Sequence, residues 1–150
     1  MNRDRIYFSH SPRLTIGVEA ELFTIKKDSL DLCPGAPLVL NEFSGSAHIK
    51  EELLKCIIGV NTGICEDISA VRSDLILRIF EVQQIAEKQN IALISMGTYP
   101  FARCKDQTLT QSNRYLNFLE RMQWPVRHLI ISSLNVHIGV ESGKKAIAIT

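Results

Sequence analysis

Leu14-Thr-Ile-Gly-Val-Glu-Ala-Glu-Leu-Phe-Thr-Ile25 alternates strictly, with Glu19 and Glu21 on one side and Ile16, Val18, Ala20 and Leu22 on the other. Successive side chains of a strand point to opposite faces, so this run reads as a strand with one apolar face and one face carrying two carboxylates. Like charges at i and i+2 repel unless water, basic groups or a cation share the patch. A hard divalent ion is one solution. Mg²⁺ takes oxygen ligands, usually one or two carboxylates with water and substrate phosphate completing its shell, which would connect the pair to phosphate chemistry. A solvated acidic face is the other solution, and the strand by itself leaves both open.

A second alternating run lies far downstream. Leu134-Asn-Val-His-Ile-Gly-Val-Glu141 sets Leu134, Val136, Ile138 and Val140 against Asn135, His137, Gly139 and Glu141, so its polar face is similar to that of the first strand. Between the two runs, the turn-rich Cys33-Pro-Gly-Ala-Pro37 reads as a loop, with a short strand predicted at Leu38–Leu40. Ile49 to Val60 is an apolar segment, interrupted by Lys and Glu and ending at the turn Asn61-Thr-Gly63, which we assign to strand.

Ile68, Val71, Leu75, Ile79, Val82 and Ile85 or Ala86 recur at helical spacing, predicting a helix from Asp67 or Ser69 to Gln89, with either residue as its cap and Asn90 closing it. Ile91–Met96 follows as a buried strand, and the β-α-β order places it in the same sheet. A second helix is predicted at Ser112–Gln123, with Tyr115, Leu116, Leu119 and Met122 on one side, and a further helical segment at Arg127–Ser133. After Glu141-Ser-Gly143, the run Lys144–Thr150 begins as an amphipathic helix or strand and stops without a cap.

Composition narrows the function classes. The chain has 150 residues, 45% of them hydrophobic and 22% charged, which is the make-up of one globular domain able to bury a core. Seventeen basic residues against sixteen acidic ones leave a net charge of +1 with no basic run, which disfavours nucleic acid or an anionic membrane as partner. No apolar segment approaches the length of about 20 residues that spans a bilayer, and no signal-type h-region follows the N-terminus. Cys33, Cys56, Cys65 and Cys104 lack zinc-site spacing, so reduced thiols and a cytoplasmic location are expected.

The order of motifs is more specific than any one of them. Gly17-Val-Glu-Ala-Glu21, Glu52 ahead of Val60-Asn-Thr-Gly-Ile-Cys65, Gly97-Thr-Tyr-Pro-Phe-Ala102, Arg114-Tyr115 and Asn135-Val-His-Ile-Gly-Val140 together resemble the glutamate–cysteine ligase type 2 family, with greatest likeness to carboxylate-amine ligases of the YbdK type. The resemblance covers nearly the whole chain and corresponds to the N-terminal portion of a single catalytic domain, incomplete beside family members that continue further. It implies an α+β, glutamine-synthetase-like fold, in which a curved, mainly antiparallel sheet with helices on one face offers its polar face to ATP, Mg²⁺ and substrates.

The activity so implied is ATP-dependent amide formation between a carboxylate, such as that of glutamate, and the amine of cysteine or an analogue, through an acyl phosphate. By motif position Glu19, Glu21 and Glu52 would be metal ligands, and His137 a metal or phosphate contact, with Asn135 beside it on the nucleotide side. Arg114 and Arg127 would balance phosphate or carboxylate charge. Asn61, Thr62 and Tyr99 would contact substrate, although Asn61 and Thr62 are equally suited to shaping their turn.

Departures from the family pattern support a second reading, a non-catalytic nucleotide- or amino-acid-binding or interaction domain. The family's glutamate seven residues after Glu52 is Gly59 here, its frequent histidine is Tyr99, and its tryptophan after Phe-Ala-Arg is Cys104. A spacing of seven also puts Glu52 and position 59 on opposite faces of one regular strand, so a bulge or a change of structure must intervene. Exposed sheet edges offer a route to homo-oligomer pairing.

Overall fold

In the computed structural model, residues 8–150 are described, the side chain of Arg127 excepted. Its centre is β1, Thr15–Lys26, the long strand predicted from the acidic run. A five-stranded antiparallel sheet is built around it. On one edge β1 pairs with β3 (Ile57–Asn61), which in turn pairs with β2 (Ile49–Glu51). On its other edge β1 is long enough for two partners in succession, β5 (Leu134–Gly139) along residues 15–20 and β4 (Ile91–Ile94) along residues 23–26. The sheet is mixed neither in direction nor closed into a barrel, and it sits with helices in an α+β arrangement.

The apolar side of β1 gains its cover from α2, Ile68–Lys88, which packs over β4, β1 and β3. Its predicted cap is real: the Asp67 side chain accepts a hydrogen bond from the Ala70 amide at 2.8 Å, satisfying one of the free donors of the first turn. Asn90, at φ 56°, takes the left-handed conformation that ends the helix. Leu22, Ile58, Val60, Val82, Ala86 and Ile91 form the core between helix and sheet. The other side of the sheet carries a second core at one end only, where Phe23 and Ile57 meet Leu54, Tyr99 and Ile130. At the opposite end that face remains polar.

Three sequence expectations change. Residues 36–40 form a helix, α1 (Ala36–Leu40), rather than a strand: Pro37 occupies the first turn, where its missing N–H costs nothing, and the Ala36 amide bonds the Lys55 carbonyl at 3.0 Å. Ile49–Val60 is not one strand but the β2–β3 hairpin. Arg127–Ser133 is not helical beyond a single turn at Val126–His128, because the later backbone donors are drawn elsewhere: the Ser132 amide to the Gly97 carbonyl at 3.1 Å and the Ser133 amide to Glu21 at 2.8 Å.

The predicted second helix is α3 (Asn113–Met122), and the terminal run is α4 (Gly143–Ile149), which Ser142 caps through the Lys145 amide. The alternation of β5 does not translate into burial. Leu134, Val136 and Ile138 continue the apolar face of β1 beyond the reach of α2 and stay 66%, 56% and 53% exposed. All four cysteines are free thiols, and no helix is long and apolar enough to cross a membrane among the described residues.

Candidate functional site

The polar end of the sheet is set by register. Glu19 lies across from Asn61 of β3 and Asn135 of β5, Glu21 across from Gly59, and Gly17 across from His137. Lys50 of β2 faces Gly59 from the next strand. The two alternating runs of the sequence therefore share one polar face.

Glu52 joins this face despite its odd spacing from Gly59. In an antiparallel hairpin with Lys50 across from Gly59, even-numbered residues of β2 share a face with odd-numbered residues of β3. The reversal of chain direction at residues 53–56 is the change of structure that the spacing required, and Glu52 continues the side of Lys50.

Each carboxylate has distinct partners. Glu19 bonds the Lys50 ammonium at 2.6 Å, and His137 Nε2 lies 3.6 Å from its other oxygen. Burial pulls the Glu19 carboxyl upward, but the Lys50 hydrogen bond and charge, the Asn135 amide and His137 outweigh it and hold the group below its ordinary value. Glu21 accepts from the Ser133 amide at 2.8 Å. Glu52 accepts the Tyr115 hydroxyl of α3 on Oε2 at 3.1 Å, while its Oε1 is buried with no hydrogen-bond partner. Burial, and then the charge of Glu21, push the Glu52 carboxyl up to about 6, against the opposing pull of Tyr115 and Lys50.

The remaining predicted residues divide between this face and the framework. Arg114 stacks over Tyr115, its guanidinium 5.4 Å from the ring centroid, in a cleft of about 480 Å³ that also includes Phe118 and Arg121. A second cleft, of about 490 Å³, opens at the His137 end and is lined by Ser11, Arg13 and Gly17. Thr62 serves the backbone: its hydroxyl accepts from the Val18 amide and donates to the Gly63 carbonyl, both at 2.9 Å. Tyr99 is 7% exposed in the second core, edge-on to Phe23, with its hydroxyl donated to the Leu30 carbonyl, so it stands apart from the carboxylates as a packing residue. The side chain of Arg127 lies outside what the structure describes.

Lys50 and Tyr115 were not foreseen as site residues. Lys50 had a signal, since two positions before Glu52 on a strand means the same face. Tyr115 had one too, standing in the Arg114-Tyr115 motif of the family resemblance, where only Arg114 was assigned a role.

A family model described as glutamate-cysteine ligase family 2 (GCS2) matches residues 15–150. The chain belongs to glutamate–cysteine ligase family 2. Two relatives illustrate the extent of the likeness. A protein of Mycobacterium sp. (strain KMS) named "Putative glutamate--cysteine ligase 2-1" is 36% identical over 145 residues. One of Mycobacterium tuberculosis (strain ATCC 25177 / H37Ra) named "Putative glutamate--cysteine ligase 2" is 34% identical over the same length. Both alignments take in 97% of this chain and 39% of the relative, so the family 2 chain described here spans well under half the length of these proteins.

Mg²⁺, which the family resemblance implies, takes oxygen donors of the kind this face carries. Among the described residues, no three His, Cys, Asp or Glu side chains converge as a ready metal cage. Mg²⁺ does not need one, being held commonly by one or two carboxylates with water and phosphate oxygens. Glu21 and Glu52 meet that requirement in kind, and the buried, unpartnered Oε1 of Glu52 is an oxygen that a cation would satisfy. Glu19 is already neutralised by Lys50.

Proposed function

We propose that this chain carries the N-terminal, carboxylate-bearing part of an ATP-dependent carboxylate–amine ligase acting on amino acids such as glutamate and cysteine. The observation that carries the reading is the assembly of Glu19 and Glu21 of β1 with Glu52, which directly follows β2, onto one polar face, in a chain of this family. Phosphoryl transfer needs positioned groups and neutralised phosphate charge more than it needs covalent chemistry from the protein.

In this reading Glu21 and Glu52 would hold Mg²⁺, which supplies charge neutralisation on the phosphate oxygens. Lys50 keeps Glu19 ionised and oriented. Asn61, Asn135 and His137 line the face around Glu19 and offer hydrogen bonds to nucleotide or substrate, and Arg114, on the rim beside Tyr115, offers a guanidinium to a carboxylate or phosphate. The substrate carboxylate attacks the γ-phosphorus of ATP, releasing ADP and leaving an acyl phosphate. The amine of the second amino acid then attacks the acyl carbon, phosphate departs, and the amine loses a proton to form the amide.

The test is release of ADP and phosphate, with Mg·ATP and a panel of amino acids, by this chain within its natural full-length protein. Glutamate-dependent release that is lost in Glu21→Gln is the expected result. If calorimetry detects no binding of Mg·ATP and no amino acid of the panel elicits ADP, the ligase reading fails. Binding without turnover would instead favour a non-catalytic nucleotide-binding domain, a reading supported by the ammonium of Lys50 already standing at Glu19.

A further inference from the structure

Lys50 and Glu52 stand on the side of the sheet that carries Glu19 and Glu21, so Glu51 between them points to the other side, where α1 packs. There it lines a cavity of about 410 Å³ separate from the polar face. Pro37 and Leu40 give the cavity an apolar floor, Asn41 and Gln111 bring side-chain amides to it, and Lys55 adds an ammonium.

The walls are tied together by the backbone. The Ala36 amide bonds the Lys55 carbonyl at 3.0 Å, the Lys55 amide bonds the Thr108 carbonyl at 2.9 Å, and the Thr110 amide bonds the Leu53 carbonyl at 2.9 Å. Thr110, which is buried, also donates its hydroxyl to the Glu52 carbonyl at 2.5 Å. Three segments distant in sequence are therefore fixed around the opening before any ligand arrives. A pre-formed cavity of a few hundred Å³, mostly apolar with a few convergent polar groups, is the usual form of a small-molecule site.

Charge decides the class of ligand. Glu51 and Lys55 line the same cavity, yet no ion pair joins them, and among the described residues neither has an ionic partner elsewhere. One carboxylate and one ammonium leave the cavity neutral overall but dipolar. A simple anion would be repelled by Glu51 and a simple cation by Lys55, whereas a zwitterion meets each with the opposite charge.

We propose that this cavity is a second small-molecule site, on the side of the sheet away from Glu19, Glu21 and Glu52, which binds a zwitterionic amino acid with an apolar side chain. Lys55 takes the ligand carboxylate and Glu51 its ammonium, the amides of Asn41 and Gln111 complete the hydrogen bonds, and the ligand side chain lies over Pro37 and Leu40. The site goes beyond the ligase reading and does not depend on it, since none of these side chains belongs to the polar face.

The test uses L-leucine as probe, without ATP, on this chain within its natural full-length protein, with saturation-transfer NMR to detect binding and calorimetry to measure it. L-Leucine should bind. N-acetyl-L-leucine, which lacks the ammonium, and L-leucine methyl ester, which lacks the carboxylate, should each bind about tenfold more weakly or worse. Glu51→Gln and Lys55→Gln should each weaken L-leucine binding by a similar factor, while Glu21→Gln on the polar face leaves it unchanged. The two ligand analogues probe the same charges without altering the protein, so the result does not hang on the folding of a variant. Absence of L-leucine binding, equal binding of N-acetyl-L-leucine, or affinity unchanged in both Glu51→Gln and Lys55→Gln would overturn the site. A failure of ADP release, by contrast, bears on the ligase reading alone.

Discussion

Glu52→Gln tests the energetic state of the polar face directly. The substitution keeps the shape of the side chain and an oxygen for Tyr115, but removes the charge. In the fold the Glu52 carboxyl titrates at about 6, against an ordinary 4.5, chiefly because it is buried and then because Glu21 is near. A raised acid means that the native state binds the proton more tightly than the unfolded state does. Stability is therefore undiminished below about pH 4.5, falls as pH rises through the interval to about 6, and remains lower by a fixed amount above it.

A rise from 4.5 to about 6, at about 1.36 kcal/mol for each tenfold change in proton affinity, sets an upper bound of about 2 kcal/mol, which the solvent reaching this half-buried group reduces toward about 1 kcal/mol. Glu52→Gln should thus be more stable than wild type by about 1–2 kcal/mol at pH 7 and nearly equal to it at pH 4. For a chain of this size that is a rise in melting temperature of about 2–8 °C at neutral pH. Urea unfolding of both proteins at several pH values between 4 and 8 measures the difference. A variant whose advantage is the same at pH 4 and pH 7, or absent at both, would show that Glu52 is not held as an unfavourable charge.

Lys50→Met removes the ammonium at 2.6 Å from Glu19, so the Glu19 carboxyl should titrate higher in a carbon-13 NMR titration. Because a lowered carboxyl stabilises the fold above its unfolded value and loses that contribution as pH falls, this variant should lose about 1 kcal/mol at pH 7 and less on acidification. Asp67→Ala deletes the acceptor for the Ala70 amide and should lower stability by about 1 kcal/mol in chemical denaturation, with little change in the polar face. Val82→Ala opens a hole in the core beneath α2, where Val82 is fully buried, and should cost about 2 kcal/mol in the same assay.

Much of the architecture was readable because it depends on periodicity. The twofold alternation of residues 14–25 and 134–141 and the helical spacing of residues 68–89 each follow from one face being apolar, and each element formed where the pattern placed it. The β2–β3 hairpin escaped notice because its reversal, Leu53-Leu-Lys-Cys56, contains no Gly, Pro, Asn or Asp, and Leu54 is buried as though in a strand. α1 was missed because a run of five residues beginning Ala-Pro carries too few turns for periodicity to speak.

For the site, alternation alone paired Glu19 with Glu21. Which residues stand beside them is a matter of register, and register between strands distant in sequence is invisible until the sheet is assembled. That is why the family resemblance could name Glu52 and Gly59, while the place of Lys50 between Gly59 and Glu19 emerged only from the structure. The exposure of Leu134, Val136 and Ile138 shows the same limit from the other side: an apolar period marks a face but does not say what covers it.

The double occupancy of one edge of β1 has a kinetic consequence. β3 lies nearby in sequence and can dock early, but the bond from the Ser133 amide to Glu21 closes a separation of 112 residues. Loop closure of that kind is entropically expensive and is deferred until other contacts reward it. His137 and Asn135 should therefore arrive beside Glu19 in one of the last events of folding. The acidic strand would exist for most of the folding reaction with its polar face half assembled, so that appearance of the His137–Glu19 contact would serve as a clock for completion of the native state.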